Sequence, residues 1–225
     1  MNIKPIIVTL TTDLNHPGLV IFKKTLERAG IPYHIIHQVI PPGTHVFGTQ
    51  MPLVYNWCKS TSYTHMIYAD AWDSYVVGDY EELITKLPDL KWWGSVEKNC
   101  FLHPELAKDY PSTEHDWKYV NGGGWFSEVD FFRKMVENNP INRKNDQLWL
   151  AEVFLKNKKE GLPVGLDYNC EVFQTTGFEG PNDFLYNYEV GRITNLKTGS
   201  LPMIFHGNGR TDMSKVIKLE QFYTK

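Results

Sequence analysis

Two aspartates three residues apart, Asp70 and Asp73, directly follow the apolar run HMIYA at residues 65–69. Such a run reads as a buried strand, and in open α/β sheets ligands bind beyond the carboxyl ends of strands. Two carboxylates leaving a strand on one loop can turn toward one hard cation such as Mg²⁺ or Mn²⁺. That ion would bridge the diphosphate of a nucleotide donor and neutralise charge on the leaving nucleotide. The plainer account is that the two aspartates cap turns, and a D-x-x-D spacing alone does not choose between them.

Three further segments have the composition of a ligand site. Phe205-His206-Gly207-Asn208-Gly209 ends a short apolar run in an imidazole, a good ligand for Mn²⁺-like metals, followed by glycines that admit close backbone approach to a phosphate. Asn121-Gly122-Gly123-Gly124 strips side chains from one stretch, which suits backbone pressed against a bulky ligand such as a sugar. Asn121 could hydrogen-bond a hydroxyl there. Asn145-Asp146-Gln147 opens a helical pattern, and Asp146 could face a sugar or an acceptor hydroxyl as base or electrostatic stabiliser. Each segment also has an ordinary counterpart: a β-turn with an incidental histidine, a flexible glycine loop, and a helix N-cap.

The elements that must position these residues follow from periodicity. Residues 3–10, 33–38, 65–69 and 92–96 are short apolar runs of strand type. Residues 19–29 place Leu19, Phe22, Leu26 and Ala29 at helical spacing, closed by Gly30 and Pro32. Residues 52–59, 80–87, 129–138 and 146–156 also read as helices, and Pro41, Pro42, Gly43 and Gly48 mark a loop. Residues 97–117 form a long surface excursion of the kind that carries function. Short strands finish the chain, the last at 203–205. Strands alternating with helices in the first half predict a mostly parallel sheet in a single domain spanning residues 1–225.

Composition narrows the function classes. The net charge of −3 argues against long-range attraction to nucleic acid or anionic membrane, and the one dense basic run, Lys156, Lys158 and Lys159, reads as a solvated helix end. Aromatic residues make up 14% of the chain, more than a core alone requires, so some rings are expected to line a site for a base or sugar. Cys58, Cys100 and Cys170 are an odd number without metal-ligand spacing, which favours a reducing compartment. No run approaches the ~18 apolar residues of a membrane span, and the N-terminal residues lack a signal-peptide pattern. The expectation is a cytoplasmic protein.

Read in order, the segments resemble one family. YADAWDSY (68–75), WGSVEKNCFLHPELAKDYP (93–111), KYVNGGGWFS (118–127), NDQLWL (145–150), LDYNCEVFQ (166–174) and LPMIFHGNGRT (201–211) are similar to the glycosyltransferase domain of the multifunctional collagen lysyl hydroxylases and, more distantly, the collagen galactosyltransferases. The resemblance implies a GT-A fold, a UDP-sugar donor and Mn²⁺. Carried over by position, Asp70, Asp73 and His206 hold the metal. Trp72 is the aromatic that stacks on uracil, and Thr9 and Thr11 lie where the first strand meets the nucleoside. Gly123 lies in the glycine stretch, Asn208 and Gly209 fall beside the diphosphate, and Asp146 lies near the transferred sugar. The chain departs from the family in its acidic run, where only Asp146 remains after Arg143, Lys144 and Asn145, and in Phe101, where a tryptophan is expected. It reads as a stand-alone microbial or viral relative, in the host cytoplasm if viral, that transfers glucose or galactose to a hydroxyl on a protein or glycan. The alternatives are a modified DNA base or a polysaccharide as acceptor, a nucleotide-sugar-binding module that has lost catalysis, and a nucleotidyltransferase.

Overall fold

A computed structural model describes residues 3–39, 48–101, 103–141, 145–177, 183–211, 213–214 and 217–218. The central sheet has six strands: β1 (Ile6–Thr11), β2 (Tyr33–His37), β3 (His65–Ala69), β5 (Trp92–Glu97), β6 (Tyr119–Glu128) and β7 (Val164–Leu166). Their order is β2-β1-β3-β6-β5-β7. All pairings are parallel except those of β6, which runs antiparallel to both β3 and β5. The mostly parallel sheet expected from the sequence is present, with one reversed strand at its centre.

Alternation along the strands explains why both faces are covered. Ile6, Val8, Met66, Tyr68, Trp92 and Trp125 point to one face, where they pack with α2 (Gln50–Cys58), α4 (Val129–Asn138) and α5 (Asp146–Lys159). Ile7, Ile67, Ala69, Trp93 and Phe126 point to the other, against α1 (Pro17–Arg28) and α3 (Tyr80–Lys86). A sheet buried on both sides reads as continuous apolar runs, which is what made the strands visible in the sequence. Helix α1 starts where His16 Nδ1 accepts from the Gly18 amide, with Pro17 in its first turn, and gives way at Gly30, whose φ of +65° is left-handed. Asn145 caps α5 by accepting from the Leu148 amide, the ordinary role set out for it above. Lys156, Lys158 and Lys159 occupy the last turn of that helix.

A second, smaller sheet was not anticipated. β4 (Ser74–Val76), β8 (Phe173–Thr175) and β11 (Ile204–His206) pair in the order β4-β11-β8, while β9 (Phe184–Asn187) and β10 (Arg192–Asn195) form a separate hairpin. Asp167, just after β7, holds the approach to β8. Its Oδ1 accepts from the Glu171 amide at 2.8 Å, and Oδ2 accepts from Val172 and Phe173 at 2.9 and 2.8 Å. Arg143, Lys144, Pro41, Pro42 and Gly43, singled out in the sequence, lie outside the described residues. No helix among the described residues is long and apolar enough to cross a membrane.

Asp167→Ala would orphan three amides, two of them buried. It should cost about 2–4 kcal/mol of stability, measured by urea unfolding, since buried donors left without an acceptor lose their full desolvation penalty.

Candidate active site

The two sheets meet at the carboxyl ends of β3 and β5. The chain leaves β3 at Asp70, turns through Ala71 and Trp72, and re-enters regular structure as β4 after Asp73. β4 pairs antiparallel with β11 in a register that sets Ser74 opposite His206, and the Gly207 amide donates to the Asp73 carbonyl at 2.8 Å. This pairing carries a residue from position 206 to within reach of residues 70 and 73.

His206 Nε2 lies 3.4 Å from Asp70 Oδ2 and 3.5 Å from Asp73 Oδ1. One ligand atom from each of the three residues falls within 4.8 Å of the others. The second ring nitrogen, Nδ1, is 2.9 Å from Asn121 Oδ1. Because that amide oxygen can only accept, Nδ1 carries the proton and Nε2 is the atom turned to the carboxylates. Asp70 also accepts from the Tyr68 hydroxyl at 2.9 Å, and its amide donates to the Gly123 carbonyl. Two carboxylates and an imidazole with its far nitrogen tied down form a donor set that suits a divalent ion of the Mn²⁺ type.

Electrostatics report the same convergence. Burial works against a charged imidazole, but Asp73 and Asp70 outweigh it and carry His206 up to about 10. Burial alone would raise the Asp70 carboxyl; the hydrogen bonds from His206 and Tyr68 outweigh it and hold it below its ordinary value. In the absence of a cation, the imidazolium supplies the positive charge that the aspartates require.

The glycine run is part of β6, and the protein's own side chains fill the space over it. A Cβ on Gly123 would lie 2.0 Å from His206 Cε1, one on Gly122 would lie 3.2 Å from Gln147 Cβ, and one on Gly124 would lie 2.9 Å from Phe173 Cδ1. Asn121 is buried, accepting from the Gly123 amide at 3.0 Å as well as from His206. Asn208 is buried too, donating to Glu97 Oε2 at 3.0 Å and accepting from the Gly177 amide at 2.6 Å, beside Gly209 in its left-handed turn. The side chains of Asn121 and Asn208 are thus engaged within the protein.

The remaining candidates fall into two places. Trp72 is 42% exposed; its indole N–H donates to Thr11 Oγ1 at 2.9 Å and its ring stacks on His16 with centroids 4.2 Å apart. Thr9 is buried and ties β1 to β3 through the Ala69 carbonyl. The platform requires Gly18, where a Cβ would meet the Trp72 carbonyl oxygen at 1.8 Å. Asp146, the first residue of α5, is buried with its carboxylate against the start of α2, where Oδ2 accepts from the Gly48 amide at 2.8 Å. Burial raises its carboxyl pKa against the pull of the Gly48, Met51 and Gln50 amides, and the charge of Asp70 adds to the rise.

Sequence reasoning missed His16, whose only signal was its place before Pro17-Gly18 at a helix start, and Glu97. Glu97 ends β5 with 4% of its surface exposed. It accepts from Gln147 Nε2 at 2.5 Å, Asn208 Nδ2 at 3.0 Å and Asn121 Nδ2 at 3.5 Å. A glutamate at the end of an apolar strand was the available signal.

Comparison with solved structures identifies the fold. A glycosyltransferase involved in glycosylation of the major capsid of PBCV-1 aligns with TM-score 0.54 and 12% identity, covering 97% of this chain and 100% of that one. The galactosyltransferase LgtC, solved with donor and acceptor sugar analogues, aligns with TM-score 0.54 and 14% identity, covering 97% and 96%. The fold is that of the GT-A glycosyltransferases. Residues 49–223 match the family model described as the PLOD GT domain, and the chain belongs to that glycosyltransferase family. Among relatives, an uncharacterized protein R699 of Acanthamoeba polyphaga mimivirus is 30% identical over 148 residues, 64% of this chain and 31% of that one. Procollagen-lysine,2-oxoglutarate 5-dioxygenase 1 of Mus musculus is 27% identical over 155 residues, 66% and 21% respectively. The chain therefore spans about a third of the viral relative and a fifth of the mouse one.

Three outcomes follow from the geometry. The folded His206 pKa lies above the free value of 6.5, so the stabilisation from this cluster in metal-free protein is complete below that pH and is lost as pH rises through about 10. Urea unfolding of metal-free protein should show that decline, and His206→Gln should flatten it. A bound metal takes the proton's place, so metal affinity should rise with pH over the same window. Gly123→Ala should displace the His206 ring, at a cost of about 1–3 kcal/mol in thermal unfolding, with measurable loss of metal binding.

Proposed function

We propose that the protein transfers a hexose, glucose or galactose, from a UDP-sugar to an acceptor hydroxyl with the help of Mn²⁺. The observation that carries this reading is the meeting of Asp70, Asp73 and His206 at the carboxyl ends of the sheet in a GT-A fold. Asp70, Asp73 and Nε2 of His206 would hold the metal. When bound, it supplies Lewis-acid neutralisation of the departing UDP.

The chain's own residues do the rest. Trp72, fixed edge-on by Thr11 and backed by His16, offers the outer part of its indole as a stacking surface for the uracil. Thr9 holds β1 and β3 at the spacing that lets Thr11 reach that indole. Gly123 contributes by admitting the His206 ring, and Asn121 by holding that ring's Nδ1. Backbone of the turn at Asn208 and Gly209 is the part of that segment left to approach a diphosphate, since the Asn208 side chain is engaged within the protein. Asp146 lies close enough to Asp70 to raise its own pKa, and acts by setting the field on the sugar side of the metal ligands. The acceptor is a hydroxyl on a protein, a glycan or a modified base.

UDP release should be measured from a panel of UDP-sugars with Mn²⁺ and with EDTA. One donor is expected to turn over slowly with Mn²⁺ alone. Asp73→Ala or His206→Ala should lower the rate by about 100-fold or more, because a metal on a leaving diphosphate is worth several kcal/mol. Full activity of Asp73→Ala in EDTA, or no turnover and no Mn²⁺-dependent UDP binding with any donor, would refute the reading.

A further inference from the structure

Three side-chain amides point their NH₂ groups at one buried carboxylate. Gln147, Asn208 and Asn121 all donate to Glu97, and their oxygens are all spoken for. Gln147 Oε1 accepts from the Gly122 amide at 3.0 Å, Asn208 Oδ1 from the Gly177 amide at 2.6 Å, and Asn121 Oδ1 from the Gly123 amide at 3.0 Å and faces His206 Nδ1 at 2.9 Å. An amide has one donor end and one acceptor end. Each of these three therefore fits only one way round, provided that Glu97 accepts with both oxygens and backbone N–H groups stand at the other end.

We infer that Glu97 is a positioning residue for the metal ligands: by fixing the amide orientation of Asn121, it keeps the proton of His206 on Nδ1 and presents Nε2 to Asp70 and Asp73. This inference rests on the metal-site reading above. Glu97 does not touch that site directly. It is 4% exposed, and both of its oxygens are engaged by amides, so it is not placed to receive a proton from an acceptor. Its connections reach three segments: β6 through Gln147 and Asn121, the turn after β11 through Asn208, and, by way of Asn208, Gly177 two residues after β8.

The chemistry of a replacement shows why the carboxylate matters. Glu97→Gln keeps the shape but turns one acceptor into a donor. That NH₂ then opposes the NH₂ of Asn208 or those of Gln147 and Asn121. The strain is relieved by rotating an amide, and a rotated Asn121 sets its own NH₂ against both the Gly123 N–H and the His206 Nδ1–H. The imidazole must then either leave or move its proton to Nε2, the atom that faces the carboxylates. Hydrogen-bond partners of metal-ligating histidines typically matter by about 10- to 100-fold in metal affinity.

The test is a Mn²⁺ titration of the full chain, with free Mn²⁺ read by electron paramagnetic resonance and folding checked by circular dichroism and thermal melting. Wild type, Glu97→Gln, His206→Ala and the double variant complete a cycle. Glu97→Gln should weaken Mn²⁺ binding by about 10- to 100-fold while the protein remains folded. In the His206→Ala background the same change should have little further effect, because Glu97 acts through that ring. If Glu97→Gln fails to fold, Glu97→Asp keeps an acceptor-only group on a shorter stem, and it should weaken binding in the same His206-dependent way. A folded Glu97 variant that binds Mn²⁺ as tightly as wild type overturns the inference. So does an equal weakening in both backgrounds, which would mark a general loss of charge or structure. Wild type that binds no Mn²⁺, or His206→Ala that binds as well as wild type, would instead remove the metal-site reading and the inference with it.

Discussion

Two carboxylates brought to one pocket repel each other unless a positive charge lies between them, and the protein places Asp70 and Asp73 on a single loop of four residues. Their mutual repulsion, at a half-buried site, works against the loop unless a positive charge offsets it. His206 compensates it from one side, and a divalent cation would do so more strongly. The rest of the molecule can be understood as the means by which residue 206 is brought to residues 70 and 73 and held with one particular nitrogen forward. The large sheet delivers the aspartates at the end of β3. The small sheet delivers the histidine at the end of β11. The β4–β11 register links the two, because β4 begins one residue after Asp73.

Close approach of these parts requires the absence of side chains at a few positions. Gly123 sits beneath the imidazole, and Gly18 sits beneath the Trp72 carbonyl. At both places any Cβ would be in steric conflict with an atom of the site, one a ring and the other backbone. The ring over Gly123 belongs to a side chain anchored by Asn121; the backbone beside Gly18 belongs to the loop that carries both aspartates. Glycine is therefore needed here for room and not for unusual dihedrals, in contrast to Gly30 and Gly209, whose positive φ values close a helix and a turn.

Four strands of the large sheet, β1, β2, β3 and β5, were legible because each is a local apolar run, whereas β6 was hidden by its three glycines. Runs such as 65–69 and 92–96 carry their apolar character within a few residues, and the helices between them show their period over about two to three turns. Of the small sheet only its last short strand was legible, because its strands are three residues long and β4 pairs with β11 across more than 100 residues. No local pattern encodes such a partner. The same limit applies within the site. Asp70, Asp73 and His206 were found as types known to bind metals, and Asn145 as a helix cap. The burial of Asn121 and Asn208 between protein partners was not found, because a polar residue near glycines looks the same in a sequence whether it faces ligand or core. Glu97 was passed over as the first residue of a surface excursion, although it is the last residue of β5 and faces inward.

That error is instructive about where carboxylates can be tolerated. Burial raises the Glu97 pKa, and the amides of Gln147, Asn121 and Asn208 oppose the rise. Asp70 is different, since His206 and Tyr68 reverse the effect of burial. Asp146 is different again, set against backbone amides at the start of α2. Three buried or half-buried acids thus stand in three environments, charge-paired, amide-bound and helix-bound. Of the three, only Asp70 faces a positively charged partner, the place a metal ion would take. Whether an acidic residue in such a fold can hold a ligand is therefore decided by what already occupies its oxygens, and tertiary pairing sets that.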